Sequence, residues 1–134
     1  MAERKSQTAR LLLVDDNPDI LEMLTVLLSE KYSVAGCGSA EEALKSLEAS
    51  RPDILMLDIR MSPVDGLQCL EAIRAMPGYA QTPAIALTAF ARDAERQVFL
   101  AGGFQAVVVK PILDLGEMER LIDGLLDATC SVTP

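Results

Sequence analysis

Three aspartates stand at the ends of two apolar runs. Asp15 and Asp16 follow Leu11-Leu12-Leu13-Val14, and Asp58 follows Ile54-Leu55-Met56-Leu57. If both runs are buried strands with neighbouring carboxyl ends, the acids share one rim. Carboxylates at such range repel, and the site then calls for a cation or a proton. An all-oxygen site suits Mg²⁺, which takes few carboxylates and keeps waters that a phosphate can replace. The chemistry this points to is acceptance of a phosphoryl group by an aspartate. Thr88 and Lys110 end two later apolar runs, Ala84-Ile85-Ala86-Leu87 and Ala106-Val107-Val108-Val109. They would add a hydroxyl and an ammonium to the same rim.

Composition narrows the alternatives. The chain has 134 residues, 50% hydrophobic but only 4% aromatic, so a single aliphatic core is expected. A net charge of −8 makes nucleic acid a poor direct partner. The absence of histidine excludes Ser-His-Asp and Cys-His catalysis, histidine metal sites and a phosphohistidine of the chain's own. Cys37, Cys69 and Cys130 lack zinc spacing and are too few for a disulfide framework. No apolar run approaches the ~20 residues of a membrane span, and Met1 to Arg10 is polar with no signal-peptide core. A cytoplasmic location away from membranes is the expectation.

The elements that must position the acids follow from periodicity. Short apolar runs alternate with helix-period segments, the pattern of a parallel sheet covered on both faces. Strands are expected at Leu11–Val14, Ser33–Cys37, Ile54–Leu57, Ala84–Ala89 and Ala106–Val109. Asn17-Pro18 reads as a cap and first turn, Ser39 with Glu42 as a capping box, and Asp114 with Glu117 as the cap of a last helix. Further helices are expected from the Asp65-Gly66 break to about Ala75 and over Arg92–Ala101, ended by Gly102-Gly103. Residues 1–9 are expected to be a flexible segment, 10–129 one domain, and 130–134 a tail. In an open doubly wound sheet, ligands sit beyond the carboxyl ends of the strands. That places Asp15, Asp16, Asp58, Thr88 and Lys110 on one edge.

Each residue alone has a plainer explanation. An aspartate after a strand is commonly a cap or turn residue. Asn17 reads better as a cap than as a ligand. Met23, Met56, Met61, Met76 and Met118 read as packing, and Glu41, Glu42, Glu48 and Glu71 as solvated helix faces. It is the set, at strand ends and in this order, that carries information.

That set resembles the response-regulator receiver domains of two-component signalling, of the chemotaxis-receiver type. The matching segments are Val14-Asp15-Asp16-Asn17, Leu57-Asp58-Ile59-Arg60-Met61 with Asp65-Gly66, Leu87-Thr88-Ala89 and Lys110-Pro111. The resemblance implies a flavodoxin-like α/β fold, five parallel strands in the order 2-1-3-4-5 with five helices. It implies that Asp58 takes a phosphoryl group from a phosphohistidine donor, with Mg²⁺ held by Asp16, Asp58 and the backbone carbonyl of Arg60, and by Asp15 largely through water. It implies that Lys110 and Thr88 contact phosphoryl oxygens, that small Ala89 admits them, and that the Lys110-Pro111 peptide is cis. The partners implied are a histidine kinase or histidine phosphotransfer protein, and a downstream effector or linked output domain. Such a domain modifies itself and is not a turnover enzyme.

Two departures stand out. The family places Tyr or Phe three residues before the lysine, where this chain has Val107. A β-branched valine has no ring to turn inward, so a binding module that signals without phosphate is the alternative reading; Phe90 and Phe104 are candidate substitutes for the ring. The loop Met61-Ser62-Pro63-Val64-Asp65-Gly66 also carries its proline one position later than usual. Arg60 and Phe90 occupy the two positions that flank the phosphoryl group in the family, and their bulk is expected to limit water access and slow its hydrolysis. A metal-dependent phosphohydrolase is disfavoured, because the aspartates are adjacent rather than spaced and no cap segment is present.

Overall fold

A computed structural model describes residues 8–89, 92–110, 112 and 114–132, with 129–132 as backbone only. Five strands, β1 (Arg10–Val14), β2 (Ser33–Cys37), β3 (Ile54–Asp58), β4 (Ala84–Thr88) and β5 (Ala106–Val109), alternate with five helices. These are α1 (Pro18–Leu28), α2 (Ala40–Ala49), α3 (Gly66–Arg74), α4 (Asp93–Ala101) and α5 (Leu115–Val132). All strand pairs are parallel, in the order β2-β1-β3-β4-β5. This is the doubly wound arrangement expected from the alternation of short apolar runs and helical segments.

The period-2 alternation of strand side chains sorts the core into two layers. Leu12, Val14, Leu55, Leu57, Ala84 and Ala86 pack with Ala43 and Leu47 of α2, Leu70 and Ile73 of α3 and Phe99 of α4. Leu11, Leu13, Ile54, Met56, Ile85 and Leu87 face the other way, against Leu24 and Leu28 of α1 and Met118, Ile122 and Leu126 of α5. Because β3 and β4 are buried along their whole length, they must be apolar at every position until the site begins. Cys37 and Cys69 are free and buried, as expected of small core residues.

Helix starts are set by side-chain acceptors. Asn17 Oδ1 accepts the N–H groups of Asp19 at 3.0 Å and Ile20 at 3.2 Å, with Pro18 in the first turn. Ser39 Oγ accepts Glu42 N–H at 3.2 Å, but Glu42 Oε1 reaches back to Gly38 N–H at 2.7 Å rather than to the cap residue's own N–H. The full reciprocal box lies instead at α3. There Gln68 N–H donates to Asp65 Oδ1 at 2.8 Å, and Asp65 N–H donates to Gln68 Oε1 at 3.0 Å. Arg92 precedes α4 as its cap residue, its N–H donating to Glu95 Oε1 at 2.9 Å.

The Ala9 carbonyl, just before β1, accepts Ser33 N–H at 2.8 Å, and the Ala9 side chain packs against the α1 and α5 layer. Helix α5 continues through Val132, into the segment expected as a tail. No glycine or proline interrupts Leu125–Val132, so nothing in the chain stops the helix there. Strand β3 extends to Asp58 and β4 stops at Thr88, so both residues are strand residues rather than loop residues.

One glycine is required by close approach. A Cβ on Gly66 would lie 2.5 Å from the Asp58 carbonyl oxygen and 2.8 Å from Ile59 Cα. The loop that follows Asp58 folds back here, with the Gly66 and Met61 N–H groups both donating to the Ile59 carbonyl, at 2.9 and 3.2 Å. The Ser62-Pro63 peptide in that loop is cis. Backbone atoms cannot yield as a side-chain end can, so Gly66→Ala should destabilise the protein by about 1–3 kcal/mol, the usual range for overpacking. Denaturant unfolding of the variant measures this directly.

Candidate functional site

Register brings the site residues to one edge. Val14 pairs with Leu57 and Asp58 with Leu87, while Thr88 pairs with Val109. Asp15 therefore follows β1 beside Asp58, and Lys110 follows β5 beside Thr88. Lys110 N–H donates to the Thr88 carbonyl at 2.7 Å, and Asp15 N–H donates to the Cys37 carbonyl at 3.1 Å. The backbone of both charged residues is thereby tied to neighbouring strands.

Carboxylate oxygens of Asp15, Asp16 and Asp58 lie within 4.8 Å of one another. Asp15 is fully buried and Asp58 is 3% exposed, while Asp16 is exposed. Each buried acid has fixed donors. Asp15 Oδ1 accepts Asn17 N–H at 2.9 Å, and its Oδ2 accepts Lys110 Nζ at 3.1 Å. Asp58 Oδ1 accepts Arg60 N–H at 3.2 Å and lies 3.4 Å from Lys110 Nζ. Lys110 is thus shared between the two buried acids. The group opens into a pocket of about 430 Å³ whose walls also include Asn17, Ile20, Arg60 and Ala89.

Thr88 stands apart within this set. It is buried at the end of β4, on the same edge, but it lines an adjoining cavity of about 210 Å³ with Ile59, Arg60, Glu95, Val98 and Phe99. Phe90 and Pro111 lie outside the described residues. Phe104 is buried in the core layer against which Val107 packs. Three residues that bear on the site were not singled out for it by sequence reading. Asn17 holds the Asp15 carboxylate through its backbone N–H, Gly66 lets the following loop close over Asp58, and Glu95 lines the second cavity together with Arg60. The Asp65-Gly66 pair was a visible signal for the second; a single helical glutamate gave none for the third.

The electrostatics favour a cation. Burial, then the charge of Asp15, push the Asp58 carboxyl up to about 6, against the opposing pull of Lys110 and the Arg60 N–H. Three carboxylates facing one ammonium leave an excess of two negative charges, which one divalent ion balances. All the donors are oxygens, as a hard ion such as Mg²⁺ requires. The residues present therefore fit that ion.

An open five-stranded parallel sheet with an acid cluster and a lysine at its carboxyl edge defines the receiver class of signalling domain. A family model described as the response regulator receiver domain matches residues 11–123, and the chain belongs to that family. A 14.6 kDa protein of Leptolyngbya boryana, of uncharacterised function, is 37% identical over 84% of this chain and 86% of its own length. The signal transduction histidine-protein kinase BarA of Escherichia coli is 35% identical over 84% of this chain, which spans only 12% of that kinase. Among solved structures, the receiver domain of the Pseudomonas aeruginosa sensor histidine kinase PA1611 superposes with a TM-score of 0.81 at 29% identity. It covers 90% of this chain and 99% of that one, and it has a magnesium ion coordinated in its active-site cleft. The Vibrio cholerae chemotaxis protein CheY4 gives a TM-score of 0.83 at 26% identity, over 89% of this chain and 99% of that one. Among the described residues, no helix is long and apolar enough to cross a membrane.

The raised Asp58 carboxyl has a defined linkage. Between its usual value of 3.8 and about 6 the folded state binds more protons than the unfolded state. Stability of the metal-free protein should therefore fall as pH rises through that window. Asp58→Asn should remove this slope and unfold at higher denaturant than the parent at pH 7. Mg²⁺ needs the charged carboxylate, so its affinity should weaken as pH is lowered through about 6, measurable by titration calorimetry.

Proposed function

We propose that this chain is a phosphoacceptor: Asp58 takes a phosphoryl group from a phosphohistidine donor, and the modified domain changes its protein partners. The observation that carries the reading is the buried Asp15–Lys110–Asp58 arrangement, with contacts of 3.1 and 3.4 Å, beside exposed Asp16. It leaves a strongly negative, open pocket that neither helix capping nor core packing accounts for.

An oxygen of the Asp58 carboxylate attacks phosphorus, and the bond from phosphorus to the donor's imidazole nitrogen breaks. The electron pair stays on that nitrogen, which takes up a proton. The Arg60 N–H on Asp58 Oδ1 and the flanking chain of β3 hold the nucleophile in place. Lys110 sets a compact positive charge beside the acceptor, where phosphoryl oxygens gather. Asp16, Asp58 and the Arg60 carbonyl would hold Mg²⁺, with Asp15 acting largely through water, and the ion would supply the charge neutralisation that lets two anions meet. Small Ala89 leaves room at the pocket for the phosphoryl group, and Thr88 supplies a hydroxyl to it. The domain is modified once per cycle and its aspartyl phosphate is then hydrolysed to carboxylate and inorganic phosphate, so it does not turn over substrate. A cytoplasmic setting goes with this reading, as part of membership in the receiver family.

The donor's landing surface is α1. Met23, Val26 and Leu27 are exposed on that helix, Val26 by 61%, and the same helix presents Ile20 to the acid pocket. A bulky apolar strip beside a phosphoacceptor fits a donor domain that must bring its imidazole to Asp58. Kinase or phosphotransfer domains meet that description, whereas a downstream effector would read the α4–β5–α5 face of the modified domain.

Two measurements test the reading. Treatment with acetyl phosphate and a magnesium salt should add the mass of one phosphoryl group to the parent chain and nothing to Asp58→Asn; an unmodified parent would refute it. Val26→Glu should slow transfer from a phosphohistidine protein by about tenfold, the loss of one anchoring contact, while leaving modification by acetyl phosphate unchanged. Equal slowing of both reactions would remove α1 as the donor surface.

A further inference from the structure

Arg60 occupies a position that no other described residue shares. It lines the acid pocket with Asp58 and Lys110, and it lines the second cavity with Thr88 and Glu95. The second cavity is walled on one side by α4, through Glu95, Val98 and Phe99. Arg60 is exposed, and among the described residues its guanidinium makes no ion pair. A long cation therefore stands between two anionic positions and is committed to neither.

Charge decides what it does on modification. One divalent ion and Lys110 balance the three carboxylates. A phosphoryl group on Asp58 replaces a single negative charge with about two. One negative charge is then uncompensated in a pocket whose inner acid, Asp15, is fully buried. Lys110 is already engaged by Asp15 at 3.1 Å and Asp58 at 3.4 Å. Arg60 is the other cation on the pocket wall, and its planar fork suits phosphoryl oxygens.

We propose that Arg60 is the second phosphoryl-binding cation of this chain and that Glu95 of α4 competes with the phosphoryl group for it. This inference rests on Asp58 being the acceptor. Modification draws the guanidinium toward Asp58 and away from the cavity it lines with Glu95, which leaves that side of α4 with an unbalanced negative charge. That helix buries only Phe99 among its own residues, so little packing resists its movement. The device couples the modified aspartate to α4 in a chain where Val107 supplies no ring. Because coupling is reciprocal, whatever Glu95 contributes to holding Arg60 is withdrawn from phosphoryl binding.

Beryllium fluoride, a tetrahedral stand-in for the phosphoryl group, tests this with the full chain and a magnesium salt. Arg60→Gln should weaken its binding about tenfold, and Arg60→Lys should recover part of that loss, since charge returns without the fork. Glu95→Gln should tighten binding about threefold with Arg60 present and leave it unchanged in the Arg60→Gln background. Amide hydrogen exchange in Asp93–Ala101 should rise on binding in the parent, and should start higher in Glu95→Gln. Parent-like binding by Arg60→Gln overturns the proposal, as does weaker binding by Glu95→Gln or an equal effect of that substitution without Arg60. Failure of the parent to bind beryllium fluoride, or binding retained by Asp58→Asn, refutes instead the acceptor reading on which it rests.

Discussion

The structure turns on the burial of two like charges around one ammonium. Asp15 and Asp58 are both withdrawn from water, and Lys110 lies within 3.4 Å of each. A single lysine cannot neutralise two acids, and Asp16 adds a third at the rim. Burial, then the charge of Asp15, push the Asp58 carboxyl up to about 6, and the surplus of acids leaves the pocket short of positive charge. A folded domain accepts such a penalty only where the rest of the chain enforces the geometry. Here the same imbalance that weakens the fold gives the pocket a charge and donor set that suit a divalent ion.

The enforcement is mostly backbone. Asp58 is the last residue of a strand buried along its length, and Asp15 directly follows another. Neither can retreat without breaking sheet pairing. Backbone N–H groups at Asn17 and Arg60 hold one oxygen of each acid. Gly66 lets α3 begin against the Asp58 carbonyl itself, so the loop between them has little freedom. At the far ends of the strands, Arg74 joins α3 to the carbonyls of Tyr79, Thr82 and Gly103, which locks the return connections. The site is therefore rigid where charge must be held and open only toward solvent.

Looseness is concentrated on one side. Helix α4 buries a single residue and carries exposed Val98 and Leu100, and β5 is a partly exposed edge strand. Thr88 lines the cavity beneath α4 rather than the acid pocket, so the hydroxyl and the acids occupy separate spaces in this conformation. Val107 packs into the core layer beside buried Phe104. A stiff valine in that place removes one moving part from the side of the domain where packing is loosest.

Much was legible in the chain itself, for reasons that are local. A strand buried on both faces has to be apolar at every position, so Ile54–Leu57 and Ala84–Leu87 announce central strands and their ends announce an edge. Asn17-Pro18 and Asp114 cap helices by contacts within a few residues, which sequence order alone supplies. The acids, the threonine and the lysine were identifiable because a parallel sheet with crossovers puts every strand's carboxyl end on the same side. Where a signal was read locally, the partner could still lie elsewhere: Glu42 bonds Gly38 rather than the cap residue's own N–H. Distance across the fold was decided only in three dimensions. That Lys110 is shared by two acids, that Thr88 faces a different cavity and that Arg60 borders both depend on register between strands far apart in sequence. Spacing along the chain carries no information about which side chain reaches which, because that is set by how the strands align and what their side chains leave unfilled.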